Sequence, residues 1–294
     1  AEPGQPRKPG QIYDSNRFSL RGLVEAAGGA ALDLGIVPDV RDELQSRLLA
    51  LKGEFYDPAT GAVSYQALRR SKAWKEVRSL TAGLRDFDPR SLATREERLA
   101  FWINVYTALV IDAFVERGVT KSVSEVRFFF TRVGYVIGGS FFSADLIEHG
   151  LLRGNQRPAF PLGAVHIEKG SPLAEMVLSP PDPRVHFALV CGSRGCPPIR
   201  FYDAAKIVAQ LEQAARSFVN ADTEVDPERG TMTTSSIFRF YASDFGGQPA
   251  GVARFVAARL EDAGVALWLV ANAGKVRIVY RPYDWSLNGD GEQG

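Results

Sequence analysis

Cysteine, histidine and methionine are scarce in this chain: two cysteines, three histidines and two methionines in 294 residues. Cys191 and Cys196, with His149, His166 and His186, are too few for a cysteine-rich zinc module. No C-x-x-C or H-x-x-x-H spacing occurs, so neither a metal nor a cofactor is expected. An excess of one charge is missing too. Thirty-five Lys and Arg face 34 Asp and Glu, for a formal +1, whereas a protein that binds by neutralising phosphates carries a clear basic surplus. No nucleic-acid partner is expected. Long apolar runs are also lacking: the stretches around 99–114 and 265–273 are interrupted or short of the ~20 residues of a membrane span, which predicts a soluble chain with no transmembrane segment. A G-x-S-x-G elbow and a phosphate-cradling glycine loop are both absent, leaving serine hydrolysis and nucleotide binding without support.

What is present is enough apolar residue, 45%, for one large core, with no repeat or Pro-rich linker dividing the chain. The expected fold class is α+β: a single domain with a central buried helix packed on a mainly antiparallel sheet, spanning 91–290. A helical N-terminal extension covers 16–90, behind a disordered lead over 1–15. That lead, AEPGQPRKPGQ, starts on a small residue and is rich in Pro and Gly, as signal peptidase commonly leaves a mature end, so a periplasmic or secreted location is expected.

Residues 18–34 read as a weak, Gly-interrupted helix. Residues 41–52 place Leu44, Leu48, Leu49 and Leu51 at helical spacing, and 67–84 continue in the same style, with a turn in EFYDPATGAVSY between them. The most apolar helix spans 94–117, with Thr94 and Glu97 at capping-box spacing and Gly118 placed to stop it. Residues 126–130 read as a strand or helix edge, IGG as a turn and 143–153 as a helix. Residues 185–191, VHFALVC, are apolar on both faces and predict an interior strand. A helix from 202 to 220 comes next, with Ile207, Leu211, Ala214 and Phe218 on one stripe. After it come a turn at DPERGT, a strand at MTTSS, a helix over 249–263 and a pair of strands at ALWLVA and KVRIVY.

Three clusters could carry chemistry. The segment from Arg184 to Pro198 holds both cysteines and a histidine around a Gly-containing loop, the kind of connection that displays ligand groups. On a strand His186 and Cys191 take opposite faces, so His186 meets Cys196 only if the loop folds back. Cys196 precedes a predicted helix, whose dipole would favour the thiolate, although Pro197 and Pro198 intervene. The same two cysteines, in an exported protein, read equally as a local disulfide. In DLIEHGLLR, Asp145, His149 and Arg153 recur every four residues, which reads as a surface ion-pair stripe or as a carboxylate holding an imidazole in one tautomer. Glu148 lies a quarter-turn away. Asn104, in an apolar helix, either braces a loop or lines a pocket. Ser193, Tyr283, Asp284, Trp285 and Asn288 complete the candidates, and His166 reads as surface.

Five ordered segments, RLAFWINVYTALVI, IGG…LIEHGLLR, PRVHFALVCGSRGCPPIR, SSIFRFYASDF and YDWSLN, make the chain similar to the domain of unknown function 547 family over about residues 44–288. The family has Asn where this chain has Thr107. The resemblance implies an exported or envelope protein of bacteria, with relatives in plants. It also suggests a papain- or transglutaminase-like α+β architecture. In that group the central helix carries the nucleophile; here Asn104 occupies the helix, so a nucleophile must come from the 191–196 loop.

Two functional readings are open. In one, a cysteine-dependent hydrolase or acyltransferase uses Cys196 or Cys191 as nucleophile and His186 or His149 as base. Glu148 or Asp284 orients the histidine, and loop N–H groups over 192–195 hold the oxyanion. In the other, a non-catalytic envelope module with a structural disulfide binds a peptide, glycan or protein through a groove of Trp102, Tyr241 and Trp285, with Asn104, Arg153, Arg184, Ser193 and the C-terminal cluster as binding residues.

Overall fold

The computed structural model describes residues 40–157 and 166–289. The lead over 1–15 and the helix expected over 18–34 lie outside the described residues. The chain divides into two units, 1–43 and 44–294, and the second carries the fold.

That fold is α+β, built around one helix. α1 (Val40–Phe55) buries Leu44, Leu48 and Leu51 and leaves Leu49 exposed. The helix expected over 67–84 is two, α2 (Tyr65–Arg70) and α3 (Lys72–Gly83), because Ser71 turns extended and its Oγ accepts the Trp74 N–H at 3.0 Å as a fresh N-cap. α4 (Arg95–Arg117) is the central helix. Thr94 and Glu97 close a reciprocal capping box, and Gly118, at φ 61°, ends it in the left-handed conformation that costs other residues more. Its most apolar window has a mean hydropathy of 1.5 and is long enough to cross a membrane, yet 89% of that window is buried within the fold. α4 is therefore a core helix, apolar all round because protein surrounds it.

After the short α5 (Phe129–Arg132), β1 (Gly134–Ile137) and β2 (Ser140–Ser143) form an antiparallel hairpin. Gly138 and Gly139, both at positive φ, make the expected IGG turn. A second sheet holds β3 (Glu224–Asp226), β4 (Thr231–Ser235) and β5 (Arg277–Arg281). β3 pairs antiparallel with β4, and β4 pairs parallel with β5. Between the sheets lies α6 (Ile207–Asp222), and after β4 come α7 (Ile237–Phe240), α8 (Pro249–Ala257) and α9 (Ala263–Ala271).

Two expected strands are helical instead. Residues 185–191 begin as a 3-10 turn, Pro183–Phe187, set by Pro183 at its first position and by Asp182, whose Oδ1 accepts the Arg184 N–H at 3.0 Å. They are apolar on every side because Phe187 sits among Phe218, Phe238 and Phe255, with ring centroids 5.1 to 5.7 Å apart, and not because a sheet covers two faces. The face alternation separating His186 from the cysteines therefore does not exist. ALWLVA lies in α9, where Asp262 Oδ1 takes the N–H groups of Gly264 and Val265; a short apolar run does not separate strand from helix by its pattern.

The C-terminal YDWSLN segment runs past the cysteine loop and is stitched to it. Arg194 N–H donates to Ser286 O at 2.8 Å, Gly195 N–H to Asp284 O at 3.0 Å, and Asn288 N–H to Gly192 O at 2.9 Å. Leu287 N–H reaches Lys121 O at 2.7 Å and Val63 N–H reaches Asn288 O at 2.8 Å, so one strand of chain ties three parts of the fold around the loop.

Gly192, at φ 78°, lies where a Cβ would enter the Phe114 ring of α4. Gly192→Ala should cost on the order of 3 kcal/mol, from left-handed strain plus overpacking. Gly118→Ala, with open space around its Cβ, should cost about 1 kcal/mol. Urea unfolding of the two variants beside the parent checks the ranking; equal losses would mean the loop yields to the added methyl.

Candidate functional site

The residues from Leu146 to Leu152 form a π-turn rather than the expected α-helix: Arg153 N–H bonds to Glu148 O at 2.9 Å and Asn155 N–H to Gly150 O at 3.0 Å, both five residues back. A π-turn is wider than an α-turn and recurs at functional sites. Here it turns Asp145, Glu148 and His149 together into one cleft, where Glu148 and His149 are buried. The cleft encloses about 820 Å³ including its open mouth. Tyr106 of α4, His186, Cys191, Cys196 and Tyr241 also line it, and Phe240, Tyr283 and Trp285 border it as an aromatic group with centroids 4.6 to 6.2 Å apart.

Arg153 organises one wall. Its side chain is 2% exposed, so its charge must be met by protein. The guanidinium makes a bidentate pair with Asp244, Nε to Oδ2 at 2.6 Å and Nη2 to Oδ1 at 2.9 Å, and stacks over the Tyr241 ring at 4.8 Å. Its Nη1 lies 2.7 Å from His149 Nδ1. A guanidinium only donates, so Nδ1 is the acceptor and the His149 proton sits on Nε2, 3.5 Å from Asp145 Oδ1. Burial, with the Arg153 charge adding to it, lowers the His149 pKa against the opposing pull of Glu148. His149 is thus a neutral imidazole presenting an N–H.

Asp244 also receives His186, Nε2 to Oδ2 at 2.7 Å. Burial opposes its charge, but the hydrogen bonds from His186 and Arg153 prevail and hold the carboxyl well below the ordinary carboxylate range. An ionised carboxylate only accepts, so His186 Nε2 carries a proton and Nδ1 is the nitrogen left for proton transfer. The His186 ring stacks on Tyr241 at 3.9 Å. Glu148 is held by two tyrosines, Tyr241 OH to Oε1 at 2.6 Å and Tyr106 OH to Oε2 at 3.1 Å. Burial works against its charge, yet His149, Tyr241 and the neighbouring cations leave its pKa below the usual value.

Cys191 and Cys196 face each other across the loop as thiols. Ser193 Oγ lies 3.0 Å from Cys191 Sγ and 3.4 Å from Cys196 Sγ, and Tyr283 OH lies 3.3 and 3.1 Å from the same two sulfurs. Cys191 N–H donates to Cys196 Sγ at 3.0 Å. Burial opposes ionisation of Cys196, but hydrogen bonds from Cys191, Ser193 and Tyr283 bring its thiol down to about 6. Cys191, bonded to that sulfur and buried, is pushed well up. The pair shares one charge, on Cys196.

Several expectations need correcting. The Asp145, His149, Arg153 stripe is not on the surface, because the π-turn folds it inward against Asp244. No helix dipole acts on Cys196, since α6 begins only at Ile207; the Cys191 thiol, two hydroxyls and a backbone N–H do that work. Of the N–H groups expected over 192–195 to hold an oxyanion, those of Arg194 and Gly195 are spent on Ser286 O and Asp284 O. Asp284 orients no histidine; it is exposed and holds Ser286. Asn104 braces the chain after the loop through a reciprocal pair with the Tyr202 backbone, both bonds 2.8 Å, and stays out of the cleft. Arg184 pairs with Asp182 and Glu212, and Asn288 accepts from Tyr65 OH at 2.7 Å, both outside the cleft. His166 is half-buried, 3.1 Å from Asp145 and stacked on His149. Trp102 is wholly buried in the core. Asp244 and Tyr106 are not among the sequence candidates; the acid near the end of the aromatic run SSIFRFYASDF is the signal that could have led to the first.

Residues 89–219, which hold α4, the π-turn and the cysteine loop, match the model of the family described as Protein of unknown function, DUF547, and the chain carries a domain of that family. A 53-residue stretch, 18% of the chain, is 38% identical to part of a molybdopterin molybdenumtransferase of Haemophilus influenzae. It covers 13% of that protein, too small a share to carry its activity across. No solved structure matches the chain.

Asp244→Asn should lower stability by about 3–5 kcal/mol at pH 7, because it strands a buried guanidinium. The depressed Asp244 pKa contributes stability that is complete above the unfolded value near 4 and is lost as pH falls below it, so the gap between parent and variant should narrow below about pH 4. Urea titrations at pH 7 and pH 3 test the sign; a gap that widens in acid would contradict the assignment.

Proposed function

We propose, for a chain carrying a domain of this family, that the cleft performs thiol-dependent acyl transfer or hydrolysis, with Cys196 as nucleophile. The observation that carries the reading is that the low-pKa Cys196 sulfur and His186, which Asp244 holds from behind, line one cleft. In the first step the Cys196 thiolate attacks the carbonyl carbon of R–CO–X and a C–S bond forms. The charge that develops on the carbonyl oxygen is met by His149 Nε2–H, a neutral donor in the tautomer Arg153 imposes. As the C–X bond breaks, protonated His186 gives its Nδ1 proton to X. Neutral His186 then takes a proton from water or another acceptor, which attacks the thioester. The C–S bond breaks, and the thiolate and imidazolium are restored. Asp244 stabilises the imidazolium and fixes its ring, the part that Glu148 or Asp284 was expected to play.

The lining charges restrict the substrate. Asp145 and Glu148 are acidic, His149 is neutral, and Arg153 lies behind the wall, so a neutral or cationic substrate is preferred to an anion. The aromatic border of Phe240, Tyr283 and Trp285, with Trp285 40% exposed, suits an apolar or ring-bearing group beside the scissile bond.

Alkylation by iodoacetamide should rise through about pH 6 and disappear in Cys196→Ser, while Tyr283→Phe, which removes a hydrogen bond to the sulfur, should shift the midpoint upward. With p-nitrophenyl acetate as acyl donor, mass spectrometry should find an acetyl group on Cys196. His186→Ala should slow its release about 100-fold or more while leaving alkylation intact. An acyl group on no cysteine, or release indifferent to His186, would sink the proposal.

A further inference from the structure

The cysteine loop is a partition with two faces. Cys191 lines the cleft already described, whereas Cys196 lines that cleft and also a second hollow, of about 860 Å³ including open space, on the other side of the loop. The second hollow is walled by Tyr56 and residues 58–62, by Pro197 and Pro198, and by the C-terminal segment at Asn288. Arg194 is the one charged side chain among the described residues lining it, and it is exposed. The two faces thus differ in sign: carboxylates on the first, a guanidinium on the second.

The two sulfurs are also matched in a way that acyl transfer does not require. A nucleophile needs one thiolate, yet here a second cysteine stands beside it with its N–H on the sulfur, and one serine and one tyrosine hydroxyl stand within reach of both sulfurs. A second cysteine within reach of the attacking sulfur is what resolution of a mixed disulfide requires. Only four residues lie between the pair, and the backbone already brings Cys191 N–H onto the Cys196 sulfur.

We propose that Cys191 and Cys196 form a reversible dithiol–disulfide couple that exchanges with small anionic disulfides arriving on the Arg194 face. The inference goes beyond acyl transfer and needs only the two sulfurs. In the forward direction Cys196 S⁻ attacks one sulfur of R–S–S–R, forming Cys196–S–S–R and expelling RS⁻. Cys191, losing its proton to the solvent, then attacks Cys196 Sγ. The Cys191–Cys196 bond forms and a second RS⁻ leaves. The protein dithiol is oxidised by two electrons and the substrate disulfide is reduced by two. In the disulfide state Cys196 is no longer a nucleophile, so the couple would also switch off the cleft.

Glutathione disulfide, whose carboxylates suit Arg194, serves as the probe, with cystamine as a cationic control. The intact protein is equilibrated in buffers of graded glutathione ratio, and its free thiols are trapped with a maleimide and counted by mass. Two thiols should disappear together at one ratio with no glutathione retained, whereas Cys191→Ser should stop at a Cys196–glutathione adduct. Arg194→Glu should slow oxidation by glutathione disulfide about tenfold and leave cystamine equal or faster. If the parent accumulates the same stable adduct as Cys191→Ser, the couple does not exist, and acetylation of Cys196 in the same preparation shows whether the acyl-transfer reading survives. If Arg194→Glu alters both disulfides alike, the proposed face is wrong.

Discussion

A guanidinium buried to 2% side-chain exposure is the constraint on which the site depends. Alone in the interior, Arg153 would cost far more than the fold has to spare, so every group around it is selected by what it gives to that charge. Asp244 supplies a bidentate carboxylate, Tyr241 a ring face, and His149 an unprotonated nitrogen. Each contact has a chemical consequence beyond neutralisation. Holding Asp244 ionised fixes a proton on His186 Nε2, and bonding to Nδ1 of His149 forces the opposite tautomer there. Two histidines in one cleft are made different by one cation.

The π-turn makes this arrangement geometrically available. In a regular α-helix Glu148 would face a quarter-turn away from the Asp145, His149, Arg153 row. The wider turn instead lets Glu148 point into the cleft and meet Tyr106 and Tyr241 while the row stays in contact. The opposite wall is rigid for a different reason. Nearly every N–H of the cysteine loop is already bonded to the C-terminal segment or within the loop, so the sulfurs are positioned by backbone pairing, not by packing alone. Positive φ at Gly192, pressed against Phe114, anchors that wall directly to the central helix.

Much of this was legible in the sequence, and unevenly. The central helix declared itself through its capping box, its uninterrupted apolar character and Gly118, since all three signals are local and agree. The Gly138–Gly139 turn, the strand at MTTSS and the bracing role of Asn104 come from equally local rules. The 3-10 turn at 183–187 was hidden because aromatic burial and sheet burial leave the same apolar trace, and only the Asp182–Pro183 start distinguishes them. The π-turn was hidden because its residue pattern is that of an α-helix, and Arg153 at its end meets its partner Asp244 only 91 positions further on. Asp244 itself was invisible to spacing arguments for the same reason. Candidate groups could be found from type and proximity, but which acid serves which base is decided by contacts between distant segments.

The assignment of roles to the two histidines rests on this difference in protonation. A general base has to gain and lose a proton without losing its place. His149 would have to break its bond to Arg153 to accept a proton on Nδ1, and the new imidazolium would then face a guanidinium at 2.7 Å in a buried wall. His186 meets the reverse situation: protonation of Nδ1 places a cation beside Asp244, which already holds the other nitrogen. Nδ1 of His149 is taken by Arg153, whereas the bond of His186 to Asp244 uses Nε2, so in the proposed reaction proton transfer falls to Nδ1 of His186. Under the same proposal His149, fixed as a neutral donor, would stabilise negative charge on the substrate oxygen.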